Sequence, residues 1–95
     1  MRLVWTAAAL RDLASARAYI AQDNTAAADD QIGRVVATVA RLARFPAIGR
    51  PGRREGTREL VVTGTPYIAA YRVRADAIDI LRVLHARQRW PERLE

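Results

Sequence analysis

The sequence predicts an α+β domain: an N-terminal short strand and an α-helical hairpin packed on a three- to four-stranded antiparallel sheet. Three observations predict it. Apolar residues recur at helical spacing as far as Phe45, the hydrophobic period drops to two after Gly52, and the connections are short enough to join spatial neighbours. A chain of 95 residues suits one domain spanning 1–95.

Arg2 to Trp5 alternates briefly and predicts a short strand. Thr6 is a helix-capping residue, and Ala7 to Gln22 is rich in helix formers, with Ala9, Leu10, Leu13, Ala16 and Ile20 expected on one face. Asp23-Asn24-Thr25 interrupts the pattern. Asn24 is an N-cap for a second helix, and Asp29 and Asp30 are expected early in it, where the helix dipole favours negative charge. Ile32, Val35, Val36, Val39, Leu42 and Ala43 form the second stripe, ending near Phe45. The short link makes the helices an antiparallel hairpin.

Pro46 stops the second helix, and Pro46 to Gly52 is a loop by composition. Thr57 to Thr63, Pro66 to Arg74 and Ala77 to His85 then read as three strands. Gly64-Thr65 and Ala75-Asp76 are hairpin turns, so the strands form a meander. Strict alternation places Tyr67, Ala69, Tyr71 and Val73 on one face of the middle strand and Ile68, Ala70 and Arg72 on the other. In the last strand it places Ile78, Ile80 and Leu84 opposite Leu81 and Val83. The helices cover one face; the other is either buried within the chain or left for a partner.

Hydrophobic residues make up 51% of the chain, enough to argue against wholesale disorder. There is no cysteine, hence no disulfide and no thiolate metal site, and the composition fits a reducing compartment. No apolar run approaches the ~20 residues of a membrane span, and Met1 to Thr6 does not open a signal peptide. A cytoplasmic protein without membrane contact is expected.

The formal charge is +6, and every basic side chain is arginine. Codon bias in a GC-rich genome accounts for this as well as function does. The functional reading is a face for an anionic partner, because the planar guanidinium pairs bidentately with carboxylates and phosphates. Ten arginines against six acids from position 50 onward leave +4 there, and six against four leave +2 before it. That mild asymmetry fits nucleic acid or an acidic protein equally.

Few chemistries are open to these residues. His85 is the one histidine, too few for a zinc site. Gly49-Arg50-Pro51-Gly52 lacks the spacing and the lysine of a phosphate loop. Ser15, the one serine, sits mid-helix, and no acidic pair suggests glycoside chemistry. No cofactor or metal is expected. Acid–base RNA cleavage remains, with His85 moving the 2′-hydroxyl proton and Arg58, Arg72 and Arg82 stabilising charge. Against it stands a strand-end histidine that hydrogen-bonds locally. Gly49 to Arg54 is either a solvated turn or a basic surface element. Trp90, in Ala86-Arg87-Gln88-Arg89-Trp90-Pro91, either stacks on a base or, as favoured here, folds back on the core.

Phe45 to Gly52, Gly56-Thr57-Arg58-Glu59-Leu60, Pro66-Tyr67, Tyr71-Arg72, Leu81 to His85 and Trp90-Pro91 resemble, in order and spacing, the ParE branch of the RelE/ParE toxins. Trp5, Ala9, Asp12-Leu13, Tyr19-Ile20 and Asp23-Asn24 agree, so the resemblance covers nearly the whole chain. It implies a small toxin of a type II toxin–antitoxin system, sequestered by a cognate antitoxin whose C-terminal segment wraps the hairpin and sheet. RelE-type members cut mRNA on the ribosome; ParE-type members inhibit DNA gyrase and have no known catalytic site.

The nuclease pattern is incomplete. There is no lysine, Pro66-Tyr67 stands where an arginine is expected, and Ala86 follows His85 where nucleases carry tyrosine. Since loss of one cooperating group can cost orders of magnitude, gyrase inhibition is favoured. The alternatives are a ribosome-dependent mRNA endonuclease using His85, Arg58 and Arg82, and a non-toxic module that co-represses its operon with the antitoxin. The expected antitoxin- or target-binding residues are Arg50, Arg53, Arg58, Tyr71, Arg72, Arg82, His85 and Trp90. Operator DNA is expected to be reached only through the antitoxin, since no helix-turn-helix pattern is evident.

Overall fold

Two polar side chains start the two helices. Thr6 Oγ1 accepts the Ala9 N–H at 3.1 Å, opening α1 (Ala7–Ala21), and Asn24 Oδ1 accepts the Ala27 N–H at 2.9 Å, opening α2 (Thr25–Ala40). A single 3₁₀ turn, Arg41–Ala43, ends the helical half. The strands of the computed structural model, which describes residues 1–94, are β1 (Arg2–Trp5), β2 (Arg50–Pro51), β3 (Arg58–Val61), β4 (Tyr67–Val73) and β5 (Ala77–His85).

The hairpin buries Ala9, Ala16, Val35, Val39 and Leu42, with Leu13, Ile20 and Ile32 packed alongside. Leu10 and Val36 are exposed, contrary to expectation, because each sits one residue, about 100°, off its stripe. Asp29 and Asp30 also act differently from expectation. Asn24 caps the helix, so both lie beyond its first turn, where the dipole fades. Asp29 instead bridges to Arg17 of α1 at 2.9 Å, and Asp30 to Arg34 one turn on at 3.0 Å.

The fold class is the expected one, with a wider sheet. The order is β1-β5-β4-β3-β2. The meander β3–β4–β5 is antiparallel, as predicted. The expected loop Pro46–Gly52 contributes β2, which pairs with β3 through Arg50↔Glu59 and Pro51↔Arg58. β1 closes the opposite edge parallel to β5, from Arg2↔Ala77 to Trp5↔Ile80. The sheet is therefore five-stranded and mixed: the intervening helices and strands return the chain beside β1 in the same direction.

One irregularity redistributes the core. Ala70 pairs with Arg82 but Tyr71 with Ile80, so Leu81 is an extra residue in β5, a β-bulge. Alternation slips by one there. Val83 joins Ile78 and Ile80 in the helix-side core with Tyr67, Ala69 and Tyr71. Leu84 changes sides and joins Leu81, Ile68, Ala70, Trp90 and Leu94 in a second core. The chain's own tail thus covers the second sheet face at β4 and β5.

Candidate functional site

The arginine-rich loop after β2 is organised by a buried acid. Glu59 of β3 is 3% exposed. It accepts from Arg50 Nη2 at 3.1 Å, from the Arg53 N–H at 2.8 Å and from Arg53 Nε at 3.1 Å. Burial pushes the Glu59 carboxyl upward, but these donors outweigh it and hold the group below its ordinary value. The Arg53 guanidinium then lies 3.5 Å from the centre of the Trp90 ring, and Arg54 Nη2 donates to the Pro91 carbonyl at 2.7 Å. Loop and tail are clasped together, and Trp90 folds back on the core as favoured.

Tyr71, expected among the binding residues, is fully buried. Its hydroxyl donates to the Pro46 carbonyl at 2.8 Å and accepts the Gly49 N–H at 2.9 Å, fixing the turn into β2. A Cβ at position 49 would stand 2.5 Å from that hydroxyl and 2.8 Å from the Glu59 carbonyl, so only glycine fits. Trp90 is likewise internal and supports the surface without forming it. Arg58 Nη2 donates to the Ala47 carbonyl at 3.1 Å. Arg72 lies 3.8 Å from Asp79, whose main partner is Arg74 at 2.8 Å.

Arg82 forms a two-pronged pair with Asp12 of α1, at 2.7 and 2.9 Å. Asp12 also accepts the Val83 N–H at 2.9 Å. β1 ends beside Ile80, so this carboxylate satisfies the edge of β5 where no strand remains.

His85 ends β5. Its Nδ1 accepts the Arg87 N–H at 3.0 Å. Its ring meets Tyr67 edge-on, centroids 5.7 Å apart, and Gln88 Oε1 accepts its backbone N–H at 2.8 Å. These groups line a cleft of about 330 Å³ against α1, with Ser15 and Tyr19 on the helix side. Burial, and then the neighbouring Tyr19 phenol, push the Tyr67 hydroxyl above its ordinary value. Among the described residues, no cluster of three metal-ligating side chains exists, and no helix is long and apolar enough to cross a membrane.

The nuclease trio does not converge. Arg58 pairs across from Tyr71 and His85 across from Tyr67, beside opposite ends of β4 and on opposite flanks. That separates their backbones by roughly 13 Å along the strand and about 10 Å across it. Arg82 is turned into its pair with Asp12. Sequence reasoning did not single out Glu59, Asp12 and Tyr19 as site residues. An acid inside an arginine-rich strand region was the available signal for Glu59, whereas Asp12 and Arg82 are 70 positions apart.

Residues 3–90 match the family model of the ParE toxin of type II toxin–antitoxin systems, parDE. The chain belongs to that family. Among relatives, this ParE-family chain is 47% identical to a Sinorhizobium fredii protein bearing the name toxin Y4kP, over 96% of the chain and 94% of the relative. It is 38% identical to Toxin RelE2 of Caulobacter vibrioides, over 90% and 94%. Its fold is similar to a chain of the chromosomal ParDE system of P. aeruginosa, with TM-score 0.80 and 30% identity, covering 90% of this chain and 95% of that one. It is also similar to a chain of the RelBE2 toxin–antitoxin complex of Mycobacterium tuberculosis, with TM-score 0.65 and 31% identity, covering 88% and 95%.

Proposed function

We propose that the chain acts as one domain, is held by a cognate antitoxin, and poisons its cell by inhibiting DNA gyrase without catalysis of its own. The observation that carries this reading is the dispersal of the nuclease groups. General acid–base chemistry needs its groups within hydrogen-bonding reach of one scissile site; Arg58 lies two strands away from His85, and the Arg82 guanidinium is held in its two-pronged pair with Asp12. The antitoxin reading draws support from the ParDE and RelBE2 systems to which the fold is similar. Arg50 keeps over half its side chain exposed although paired with Glu59, so an acidic antitoxin segment can still reach its guanidinium.

The test is a supercoiling assay with purified gyrase. Inhibition at micromolar toxin is expected. Undisturbed supercoiling ends the gyrase reading. A second reading, ribosome-dependent mRNA cleavage, is favoured by the similarity to Toxin RelE2 and to a chain of the RelBE2 complex. It requires new transcript ends within translated codons after induction, lost by about 10²-fold or more in His85→Ala. The co-repressor reading requires harmless overexpression.

A further inference from the structure

One face of α2 is turned to the core through Ala28, Val35 and Val39, and the opposite face is bare. Ala26, Asp30, Gly33, Ala37 and Ala40 recur along it at alternating intervals of four and three residues, and all are exposed. Val36, beside them, is 44% exposed. Gly33 lies in the interior of a 16-residue helix, where only proline is less favourable. A Cβ at this position would meet nothing within 4 Å, so no contact inside the domain calls for glycine. A second helix laid along the face would, because small side chains at a contact let two helix axes approach to about 8 Å.

Charge selects what that second helix is. Asp29 and Asp30 lie toward the start of α2, and their side chains are 63% and 62% exposed although Arg17 and Arg34 pair with them. Arg41 and Arg44 lie at its other end, and among the described residues neither takes part in an ion pair. The helix is therefore complementary to its own reversed copy. With Gly33 of one copy beside Ala37 of the other, an antiparallel pair sets Arg41 against Asp29, with Asp30 and Arg44 within a turn of them. Two-fold symmetry makes each contact twice. A parallel pair would set acid on acid and guanidinium on guanidinium. We propose that two copies of this chain associate through the outward face of α2, packed antiparallel around Gly33 and held at both ends by Arg41 and Arg44 against Asp29 and Asp30. One helix face per copy, about 24 Å long, falls at the small end of specific interfaces, below about 1,200 Å². The dimer is accordingly weak and forms as concentration rises. This association needs neither gyrase nor an antitoxin.

Sedimentation velocity of the purified full chain from about 1 µM to about 1 mM tests it. The average mass should rise reversibly from one copy toward two. Gly33→Ala should leave the midpoint close to the parent's, whereas Gly33→Leu, which overfills the seam, should raise it about tenfold or more. Both should melt no lower than the parent, because the added side chain meets nothing in the single copy and favours the helix. Arg41→Glu/Arg44→Glu makes both ends of the face acidic, and Asp29→Arg/Asp30→Arg makes both basic. Each should stay monomeric by itself, and the two should associate when mixed in equal amounts. Three results overturn the proposal: a parent chain monomeric throughout, which would leave the face to a different protein; Gly33→Leu associating like the parent; or charge variants that self-associate or that fail to pair when mixed.

Discussion

At the scale of single residues, one carboxylate decides how the arginine-rich loop behaves. Glu59 is the one charged residue among the described ones to be buried, and Arg50 and Arg53 converge on it. Glu59→Gln keeps the shape and removes the charge. The guanidinium groups are about half exposed and water relieves them in part, so the expected loss is about 1–3 kcal/mol. The pH dependence has a definite sign. The folded Glu59 titrates below its ordinary 4.5, so the unfolded chain takes up the proton first. Its stabilisation is complete above about that value and fades as pH falls through the folded value. Urea unfolding of parent and variant through the carboxylate range checks this: the gap between them should close on acidification, and a gap independent of pH would contradict it. The sequence displayed the arginines openly but not what they do. Arg53, Arg58 and Arg82 were expected at a partner, yet each is committed to an acid or a carbonyl of its own chain. Buried acids cannot be told from surface acids without the fold, which is why Glu59 and Asp12 are not legible as anchors in the sequence while Arg50 and His85 stand out.

At the scale of elements, periodicity served well wherever one residue follows another without interruption. Asn24 was legible as a cap, and Ala77 to His85 is the last strand residue for residue. Pairing was less legible. β1 adds to the sheet by a parallel match across 75 positions, and β2 is two residues inside a Gly/Pro loop. Nothing local encodes either. The bulge at Leu81 is invisible to an alternating count, yet it brings Arg82 to α1 and Val83 under the helices. Asp12 makes that arrangement stable, joining α1 to both residues. Asp12→Ala is expected to cost about 2–3 kcal/mol, the range for charged hydrogen bonds. Arg82→Ala in that background should cost much less than in the parent. A double-mutant cycle by urea denaturation reads this coupling. Additive losses would mean the pair is incidental and that the edge of β5 is satisfied some other way.

At the scale of the whole molecule, the sheet is sandwiched: a helical hairpin on one face, the tail on the other. The second layer is thin, resting on Trp90 and Leu94 over Ile68, Ala70, Leu81 and Leu84. A domain of this size has about 5–15 kcal/mol of stability in total. Trp90→Ala removes the largest side chain of that layer and is expected to cost about 3–5 kcal/mol, enough to leave an appreciable unfolded fraction near the low end of that range. Two features separate packing from polar interaction at this site. Arg53 stacks on the Trp90 ring, and the buried indole Nε1 has no hydrogen-bond partner among the described residues. Trp90→Phe gives up part of the first, about 0.5–1 kcal/mol, and eliminates the second, an unpaired buried donor worth about 1–3 kcal/mol in the opposite direction. Its smaller ring offsets that gain through lost contact. Phenylalanine should therefore be close to neutral and alanine severe, with exposed apolar surface detected by dye binding only in the latter. If both variants unfold alike, the tail is held by its polar clasp and the second layer is not a core. If neither does, the tail is dispensable, and the sheet face beneath it is open to an antitoxin after all.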